Sequence, residues 1–290
     1  MSQTPVITIV VQARMSSSRL PGKVMLPILE EPLLYRMIER LRMVKRISHI
    51  VIATSDHTQD DVIEYFCKKY EIDCYRGSLN DLLDRHWQVG HLTEADVVLK
   101  IPSDCPLIDP RIVDKVLDVY LTNPEQYDYI SNLHPATYPD GNDVEIMSFK
   151  ALTKAWEEAV RPLELEHTTP YFWENPEKFK LGNVLWETGL DYSMSHRFTI
   201  DYHEDYQFIK RIFEELYPLK PEFSLEDILT LLAQKPEIMA LNAQWAGVNW
   251  YRNHLNELKT IDASMTVKVE AQSVGSSPEV PNPNGEVIRK

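Results

Sequence analysis

The sequence predicts an α/β fold with a mostly parallel open sheet and helices on both faces. Short apolar, β-branched segments alternate with amphipathic segments over the first half of the 290-residue chain, a pattern typical of repeated strand–helix units. The first segment, residues 6–11, is apolar without alternation, which indicates a buried parallel strand. Hydrophobic residues make up 43% of the chain and charged residues 26%, as in an ordinary globular protein with a sizeable core.

The elements of the first half follow from this alternation. Strands are predicted near residues 6–12, 49–54, 73–76, 96–101 and 127–131. Helices are predicted near residues 32–46, 59–70, 79–92 and 110–121. The last of these helices has a clear start, because Asp109 is a favourable N-cap and Pro110 suits the first turn.

The second half predicts an inserted α+β lobe over about residues 134–196 and a helical C-terminal end. Residues 139–142 read Pro-Asp-Gly-Asn, a turn signal. Beyond it, strands are predicted near 144–148, 179–186 and 197–200, and helices near 149–160, 164–175, 204–216, 224–234 and 247–258. We divide the chain into an α/β domain at 1–220, a helical extension at 221–262 and a disordered tail at 263–290, whose last part is rich in proline, glycine, serine and asparagine.

Composition excludes several classes of function. A net charge of −14 argues against a nucleic-acid partner, which requires a basic face. No apolar stretch approaches the ~18 to 20 residues that span a bilayer, so no membrane partner is predicted. The amino terminus lacks a signal-peptide pattern, and the three cysteines form no C-x-x-C pair. A cytoplasmic protein without a structural zinc site is therefore expected.

The loop after the first strand is the strongest functional signal. It carries three cations, Arg14, Arg19 and Lys23, among serines and a glycine. The small side chains of the serines and the glycine let backbone N–H groups approach phosphate oxygens, while the cations supply positive charge. Neither the G-x-x-x-x-G-K-[ST] loop nor the G-x-G-x-x-G motif is present. A solvated basic loop is the simpler alternative.

Several motifs, from Gln12-Ala13-Arg14 onward, resemble the cytidylyltransferases that make CMP-activated acidic sugars, and most closely the spore-coat polysaccharide (SpsF-type) family. The motifs lie, in family order, at residues 12–23, 76–85, 104–110, 143–145, 166–171 and 198–201. The resemblance implies a nucleotide-diphospho-sugar transferase-like, Rossmann-like fold and a homodimer. It also implies transfer of CMP from CTP to a small acidic, nonulosonate-like sugar, with release of pyrophosphate, in surface-glycan biosynthesis.

Two aspartates match the metal-binding positions of that family. Asp104 and Asp201 each follow a predicted strand, and Mg²⁺ is usually held by one or two carboxylates plus phosphates and waters. The resemblance therefore implies Mg²⁺ as cofactor. Considered without the resemblance, an aspartate at a strand end is more often a helix cap than a metal ligand. Ser103 departs from the glycine that the family usually carries before the first aspartate.

The resemblance implies that Arg14, Lys23 and Asp104 are catalytic, with Arg14 and Lys23 pairing with the β- and γ-phosphates. The implied nucleotide-binding residues are Gln12, Ala13, Arg14, Arg19, Lys23, Arg85, Lys100 and Ser103. The backbone around Gln12 and Ala13 would face the cytosine edge. For Arg85 the alternative is an exposed helix arginine paired with Asp81, and for Lys100 it is a side chain that reaches solvent.

The expected acceptor-binding residues are Asp143, Glu145, Glu166 and His167. His167 could act as a general base or hydrogen-bond the acceptor carboxylate. The alternative for Glu166 and His167 is a capping pair at a helix start.

Three other functions stay open at this point. One is a nucleotidyltransferase with a phosphate- or phosphonate-bearing acceptor, which would differ in the 134–196 lobe. The second is a glycosyltransferase of similar fold, although no D-x-D motif ends a strand here. The third is a catalytically silent nucleotide sensor, which the presence of Arg14, Lys23, Asp104 and Asp201 disfavours.

Overall fold

The computed structural model describes residues 4–267 and contains one large sheet and one short hairpin. The strands are β1 (Ile7–Gln12), β2 (Pro27–Ile28), β3 (Glu31–Pro32), β4 (His49–Ser55), β5 (Asp73–Gly77), β6 (Val97–Pro102), β7 (Tyr129–Ser131), β8 (Glu145–Ser148) and β9 (Leu181–Asn183). The large sheet has the order β5-β4-β1-β6-β8-β7-β9, and β2 pairs with β3.

The α-helices join these strands and complete the chain. They are α1 (Leu33–Leu41), α2 (Asp61–Lys69), α3 (Leu82–Leu92), α4 (Pro110–Thr122), α5 (Phe149–Glu158), α6 (Pro162–His167), α7 (Pro170–Trp173), α8 (His203–Leu216), α9 (Leu225–Gln234) and α10 (Pro236–Met239). Asp109 caps α4 as predicted, since its Oδ1 accepts a hydrogen bond from the Arg111 N–H at 2.9 Å.

The predicted mostly parallel sheet is confirmed. Strand β1 lies in the middle and runs parallel to β4 and β6, and β4 runs parallel to β5. Strand β8 is antiparallel to both β6 and β7. The carboxyl ends of β1, β4, β5 and β6 therefore share one edge, which is where open α/β sheets place ligands.

Apolar layers cover both faces of the sheet. Along β1, Ile7, Ile9 and Val11 pack into one buried cluster and Val10 packs into the other, because successive strand residues point to opposite faces. The first cluster takes in α1, α2, α4, α8 and α9, and the second takes in α3, α5, α6 and α7. Helices on both faces thus hold β1 rigidly where its loop begins.

Two predicted elements of the lobe are wrong in detail. The helix expected over 164–175 is split into α6 and α7 at Thr168, whose φ is +67°. The positive φ of Thr168 ends α6, and Pro170, which lacks an N–H, occupies the first turn of α7. The strand expected over 179–186 is limited to β9.

The strand expected over 197–200 is not formed as a regular strand. Its backbone is instead held by two isolated hydrogen bonds. Phe198 N donates to Asp140 O at 2.7 Å, and Ile200 N donates to Asp104 O at 2.9 Å. The segment therefore ends beside the carboxyl end of β6 without joining the ladder.

The helix expected over 247–258 is also wrong. Residues Trp250–Asn253 form a short 3₁₀ turn, and the backbone around it is irregular. The Asn249 side chain bonds to a distant segment, since its amide donates to Met265 O at 3.0 Å. Of the predicted tail, Ala263–Met265 form another 3₁₀ turn, and residues 268–290 lie outside the described residues. No helix within 4–267 combines the length and apolar character needed to cross a membrane.

Candidate active site

A cleft of about 1010 Å³ opens at the carboxyl edge of the sheet. Loops after β1 and β6, the lobe and residues 248–265 line it. Every predicted site residue lies on its wall, namely Gln12, Ala13, Arg14, Arg19, Lys23, Arg85, Lys100, Ser103, Asp104, Asp143, Glu145, Glu166, His167 and Asp201. The structure thus brings together residues that the sequence scatters over most of the chain.

The loop after β1 is folded tightly. Ser17 N and Gly22 N both donate to Met15 O, at 3.0 and 2.9 Å. Gly22 has φ +69°, and a Cβ there would lie 3.1 Å from Met15 Cε. Glycine is therefore favoured at this turn. The turn leads directly into the short 3₁₀ helix that begins with Lys23.

A buried aspartate that the sequence analysis missed fixes the start of this loop. Asp60 is 1% exposed, and its Oδ1 accepts the Met15 N–H at 2.7 Å. Its Oδ2 accepts hydrogen bonds from the Ser55 backbone and hydroxyl at the end of β4. Asp60 therefore ties the Arg14 loop to the neighbouring strand. Its position before α2 resembles an ordinary helix cap, so sequence alone carries no signal of this role.

Lys23 lies between the two predicted metal aspartates. Its Nζ is 3.3 Å from Asp104 Oδ2 and 3.0 Å from Asp201 Oδ1, and it donates to Ile200 O at 2.6 Å. Arg19 Nη2 approaches the same Asp201 Oδ1 at 2.7 Å. Burial alone lowers the pKa of Lys23, but the two aspartates outweigh it and hold that pKa above its usual value. The ammonium is therefore a fixed positive charge at the cleft floor.

The two aspartates fit a divalent cation. Both offer oxygen atoms to a single ammonium, so a cation between them could reach both. Burial raises the pKa of Asp201, but Lys23 and Arg19 outweigh it and hold that pKa well below its usual range. No three His, Cys, Asp or Glu side chains within residues 4–267 form a complete metal site. Phosphate oxygens and waters would supply the remaining ligands, which is how Mg²⁺ is usually bound in nucleotide sites.

A buried arginine behind the aspartates was also missed. Arg197 is 3% exposed and forms ion pairs with Asp140, Asp201 and Asp205, at 3.2, 3.1 and 3.0 Å. It also donates to Val248 O at 3.0 Å. Arg197 therefore orients Asp201 from the side opposite to Lys23. Only the folded chain reveals this, because Asp140 is distant in sequence.

On the nucleotide side, two buried polar atoms have no hydrogen-bond partner among residues 4–267, Gln12 Oε1 and Arg85 Nε. Arg85 is 3% exposed and donates to Ala53 O at 3.2 Å, so the alternative of an exposed helix arginine is wrong. Burial and then Arg14 lower the pKa of Arg85 to about 10. Buried unpaired polar atoms are costly unless a ligand satisfies them.

The backbone around Gln12 is partly committed to the sheet. Ser103 N donates to Gln12 O at 3.3 Å, and Ala13 N donates to Ala53 O at 3.1 Å. The Ala13 N–H therefore cannot also pair with a base, whereas Gln12 O keeps a second lone pair. The side-chain Oε1 of Gln12 is the better candidate for that contact, because it is buried and unpaired within the described residues. Ser103 is 6% exposed and fits at the position where the family carries glycine.

The acceptor side contains a buried ion pair. Lys100, 7% exposed, pairs with Glu145, 2% exposed, and Tyr129 donates to the second oxygen of Glu145 at 2.7 Å. The alternative that Lys100 reaches solvent is therefore wrong. Burial raises the pKa of Glu145, but Lys100 outweighs it and the pKa is lowered. Both side chains face the cleft as a neutralised pair.

Glu166 and His167 lie at the end of α6, so the alternative of a capping pair at a helix start is wrong. Glu166 is 3.9 Å from Arg14 Nη2 across the cleft. The His167 ring stacks on Trp250 at 4.0 Å between ring centres. Burial, followed by Lys100, lowers the pKa of His167 to about 3. The ring is neutral at neutral pH and too weakly basic for efficient proton abstraction.

Asp143 gives a testable pH dependence of stability. Burial and then Asp140 raise the pKa of Asp143 from 3.8 to about 8. Between these values the folded protein keeps a proton that the unfolded chain loses, so the free energy of unfolding falls as pH rises, by at most about 1.4 kcal/mol per pH unit. We expect Asp143→Asn to remove this contribution. Urea unfolding at several pH values between about 5 and 8 measures it.

The exposed Asp56 supplies the control for that experiment, since Asp56→Asn should follow the wild-type pH curve. Equal slopes for wild type and Asp143→Asn would contradict the raised pKa.

The fold and the cleft define a nucleotidyltransferase-like α/β protein with a cationic loop facing paired aspartates. A sequence profile described as Cytidylyltransferase matches residues 8–235. The chain belongs to this cytidylyltransferase family and is a CTP-dependent nucleotidyltransferase. The resemblance noted from the motifs is thereby confirmed, and the glycosyltransferase alternative is set aside.

Two curated relatives and one solved structure illustrate the similarity. The spore coat polysaccharide biosynthesis protein SpsF of Bacillus subtilis is 30% identical over 80% of this chain and 95% of its own length. The 8-amino-3,8-dideoxy-manno-octulosonate cytidylyltransferase of Shewanella amazonensis is 30% identical over 42% of this chain and 50% of its own. A cytidylyltransferase structure from Leptospira borgpetersenii superposes with a TM-score of 0.76 at 36% identity, covering 80% of this chain and 96% of that one.

Proposed function

We propose that this protein transfers CMP from CTP to a small acidic sugar, releasing pyrophosphate and forming a CMP-linked donor for surface polysaccharide. One observation carries the proposal: Arg19 and Lys23 on the loop after β1 meet Asp104 and Asp201 across the cleft floor, at 2.7 to 3.3 Å. Cations and carboxylates so arranged can hold a triphosphate together with its metal ion. The names of the relatives support the sugar and the polysaccharide.

In this reaction an acceptor hydroxyl oxygen bonds to the α-phosphorus, the bond between that phosphorus and the bridging oxygen breaks, and pyrophosphate leaves. The proton of the acceptor hydroxyl passes to solvent water in the same reaction. Such transfers depend on positioning and charge neutralisation more than on covalent help. Arg14, Arg19 and Lys23 neutralise the phosphates, and Gln12, Ala13, Arg85 and Ser103 bound the nucleotide end of the cleft.

The family typically uses a divalent metal ion, and we propose Mg²⁺ held by Asp104 and Asp201. When bound, it would neutralise charge on the phosphate oxygens during transfer. Lys23 and Arg197 hold Asp201 on two sides, so the carboxylate is already oriented.

We propose that the acceptor sugar binds against Asp143, the Lys100–Glu145 pair, Glu166 and His167. The carboxylate of the acceptor faces His167, while Arg14, whose side chain is 45% exposed and makes one long contact to Glu166, stays available to the phosphates. His167 orients the acceptor as a neutral hydrogen-bonding group, in keeping with its lowered pKa. Homodimerisation and a cytoplasmic location complete the proposal, and light scattering tests the dimer.

Calorimetric titration with CTP, ATP, GTP and UTP, each with and without Mg²⁺, tests the nucleotide half. We expect CTP-selective, Mg²⁺-dependent binding that Arg14→Ala weakens about 10- to 100-fold, since a hydrogen bond to a charged group contributes about 1.5–3 kcal/mol. Arg211→Ala, an exposed arginine of α8 away from the cleft, is the matched control.

Selective binding of another nucleotide, or CTP binding unaffected by Arg14→Ala, would contradict the proposal. Pyrophosphate release with a panel of acidic sugars, and with phosphate- and phosphonate-bearing acceptors for comparison, then tests the acceptor.

A further inference from the structure

Residues 248–265 line the cleft although they lie beyond the matched family region, which ends at residue 235. They include Val248, Asn249, Trp250, Tyr251, Asn253, His254, Thr260, Ile261, Ser264 and Met265. We call residues 248–265 the C-terminal wall. The matched profile region therefore does not include the residues of this wall.

The wall is anchored firmly against the domain. Glu174, 4% exposed at the end of α7, accepts the backbone N–H groups of Lys259 and Thr260 at 2.7 and 2.8 Å. Leu258 and Ile261 are each 7% exposed and pack into the apolar cluster on that face of the sheet. These contacts close off the side of the cleft that α6 and α7 border.

At the other end of the wall, Val248 O accepts a hydrogen bond from Arg197 at 3.0 Å. Arg197 also pairs with Asp201, so the wall is joined directly to the side chains at the cleft floor. Asn242, 3% exposed, adds a bond to Arg197 O at 2.9 Å just before the wall begins. The wall is thus held at both ends while its middle borders the cleft.

Two aromatic residues in the middle of the wall line the cleft, and one of them stacks on a proposed acceptor residue. Trp250 stacks on His167 at 4.0 Å between ring centres, with the planes 14° apart. Tyr251 lies 6.4 Å from His134 between ring centres. Burial, then Asp143 and Glu145, raise the pKa of the Tyr251 phenol, so its hydroxyl keeps its proton and can donate a hydrogen bond.

This combination suits a sugar ring. A pyranose presents an apolar C–H face and a rim of hydroxyls, and aromatic residues with polar tips offer a flat apolar surface and a directed polar group. Asp143 and the neutralised Lys100–Glu145 pair line the same cleft as Tyr251 and offer hydrogen-bond acceptors and donors. The matched region supplies Tyr138 and Trp173 to the cleft lining, and the wall adds Trp250 and Tyr251.

We propose that the C-terminal wall forms one side of the acceptor pocket and that Trp250 and Tyr251 contact the acidic sugar directly, setting acceptor specificity. This inference rests on the proposed function, because it assigns the wall to the same acceptor. A wall that only stabilises the fold would leave acceptor affinity unchanged.

The test is equilibrium binding of two probes, N-acetylneuraminate and 3-deoxy-manno-octulosonate, to the full-length protein, observed by saturation-transfer NMR titration. We expect one probe to bind wild type, Trp250→Ala to weaken its binding about ten-fold or more, and Tyr251→Phe to weaken it about five-fold, as expected for loss of one hydrogen bond. Tyr251→Phe keeps the ring, so its packing is preserved. Asn256→Ala, an exposed wall residue outside the cleft lining, should bind like wild type.

Unchanged probe affinity in both aromatic variants would overturn the inference, and so would binding of neither probe to wild type. CTP titration of the same variants distinguishes failure of this inference from failure of the proposed function. We expect the CTP affinity of both aromatic variants to stay within about two-fold of wild type. If a variant instead loses CTP binding as much as sugar binding, its site is damaged generally, and the proposed role in acceptor specificity is overturned.

Discussion

Replacing Asp104 with alanine is expected to lower kcat for pyrophosphate release about 100- to 1,000-fold, the range seen when one preorganised charge-stabilising group is removed from an active site. Asp104 Oδ2 is 3.3 Å from Lys23 Nζ, and its side chain is 34% exposed toward the cleft. The variant loses one of two proposed metal ligands, while Arg14 and Arg19 remain to bind the triphosphate. CTP affinity should therefore fall much less than turnover. Steady-state assays at saturating CTP and Mg²⁺ measure the difference.

Asp191→Ala is the matched control, because Asp191 is an exposed aspartate on the wall of the same cleft and has no proposed role in the chemistry. Its turnover should stay within about two-fold of wild type. An Asp104→Ala enzyme with near-normal turnover would show that the metal assignment is wrong.

Replacing Arg197 with methionine is expected to destabilise the protein by about 3–5 kcal/mol, the usual cost of breaking a buried ion pair and leaving its partner charged. Burial lowers the pKa of Arg197, but Asp140 and Asp205 outweigh it and hold that pKa above its usual value. Asp205 is fully buried, so its carboxylate would lose its guanidinium partner without access to water. Urea unfolding at neutral pH measures the change in the free energy of unfolding.

Arg211→Met provides the comparison, since its side chain is 50% exposed and its ion pair with Glu215 lies at the surface. Surface pairs contribute about 0–1 kcal/mol, so this variant should unfold close to wild type. Similar losses in both variants would argue against a special role for the buried network.

The sequence predicted the first half of the fold well because local patterns determine it. The apolar run of β1 and the cap at Asp109 are readable from a few neighbouring residues. The cleft position of Arg14 and Asp104 followed for the same reason, since each comes directly after a predicted parallel strand and such ends share one edge. Lys23 lies at the far end of the Arg14 loop. Their catalytic and metal-binding roles stay predictions until the variants are assayed.

The parts that failed depend on contacts between distant segments. Residues 247–258 carry a helix-like pattern, yet Trp250 stacks on His167 and the chain follows the cleft instead. Arg197 looked like a strand residue, but its partners Asp140 and Asp205 gather around it only in the folded protein. Tertiary packing overrides local propensity at both places.

The central position of β1 has a consequence for the order in which the protein assembles. The strand that leaves the ribosome first acquires its β4 neighbour early and its β6 neighbour only after residue 97 has been made. Lys23 can form its ion pair with Asp201 only after another 178 residues have been made. Closing so long a loop is slow and comes late. A nascent chain that stops before Asp201 therefore carries every strand of the sheet and the cationic loop, but lacks Asp201 and the wall residues that line the cleft.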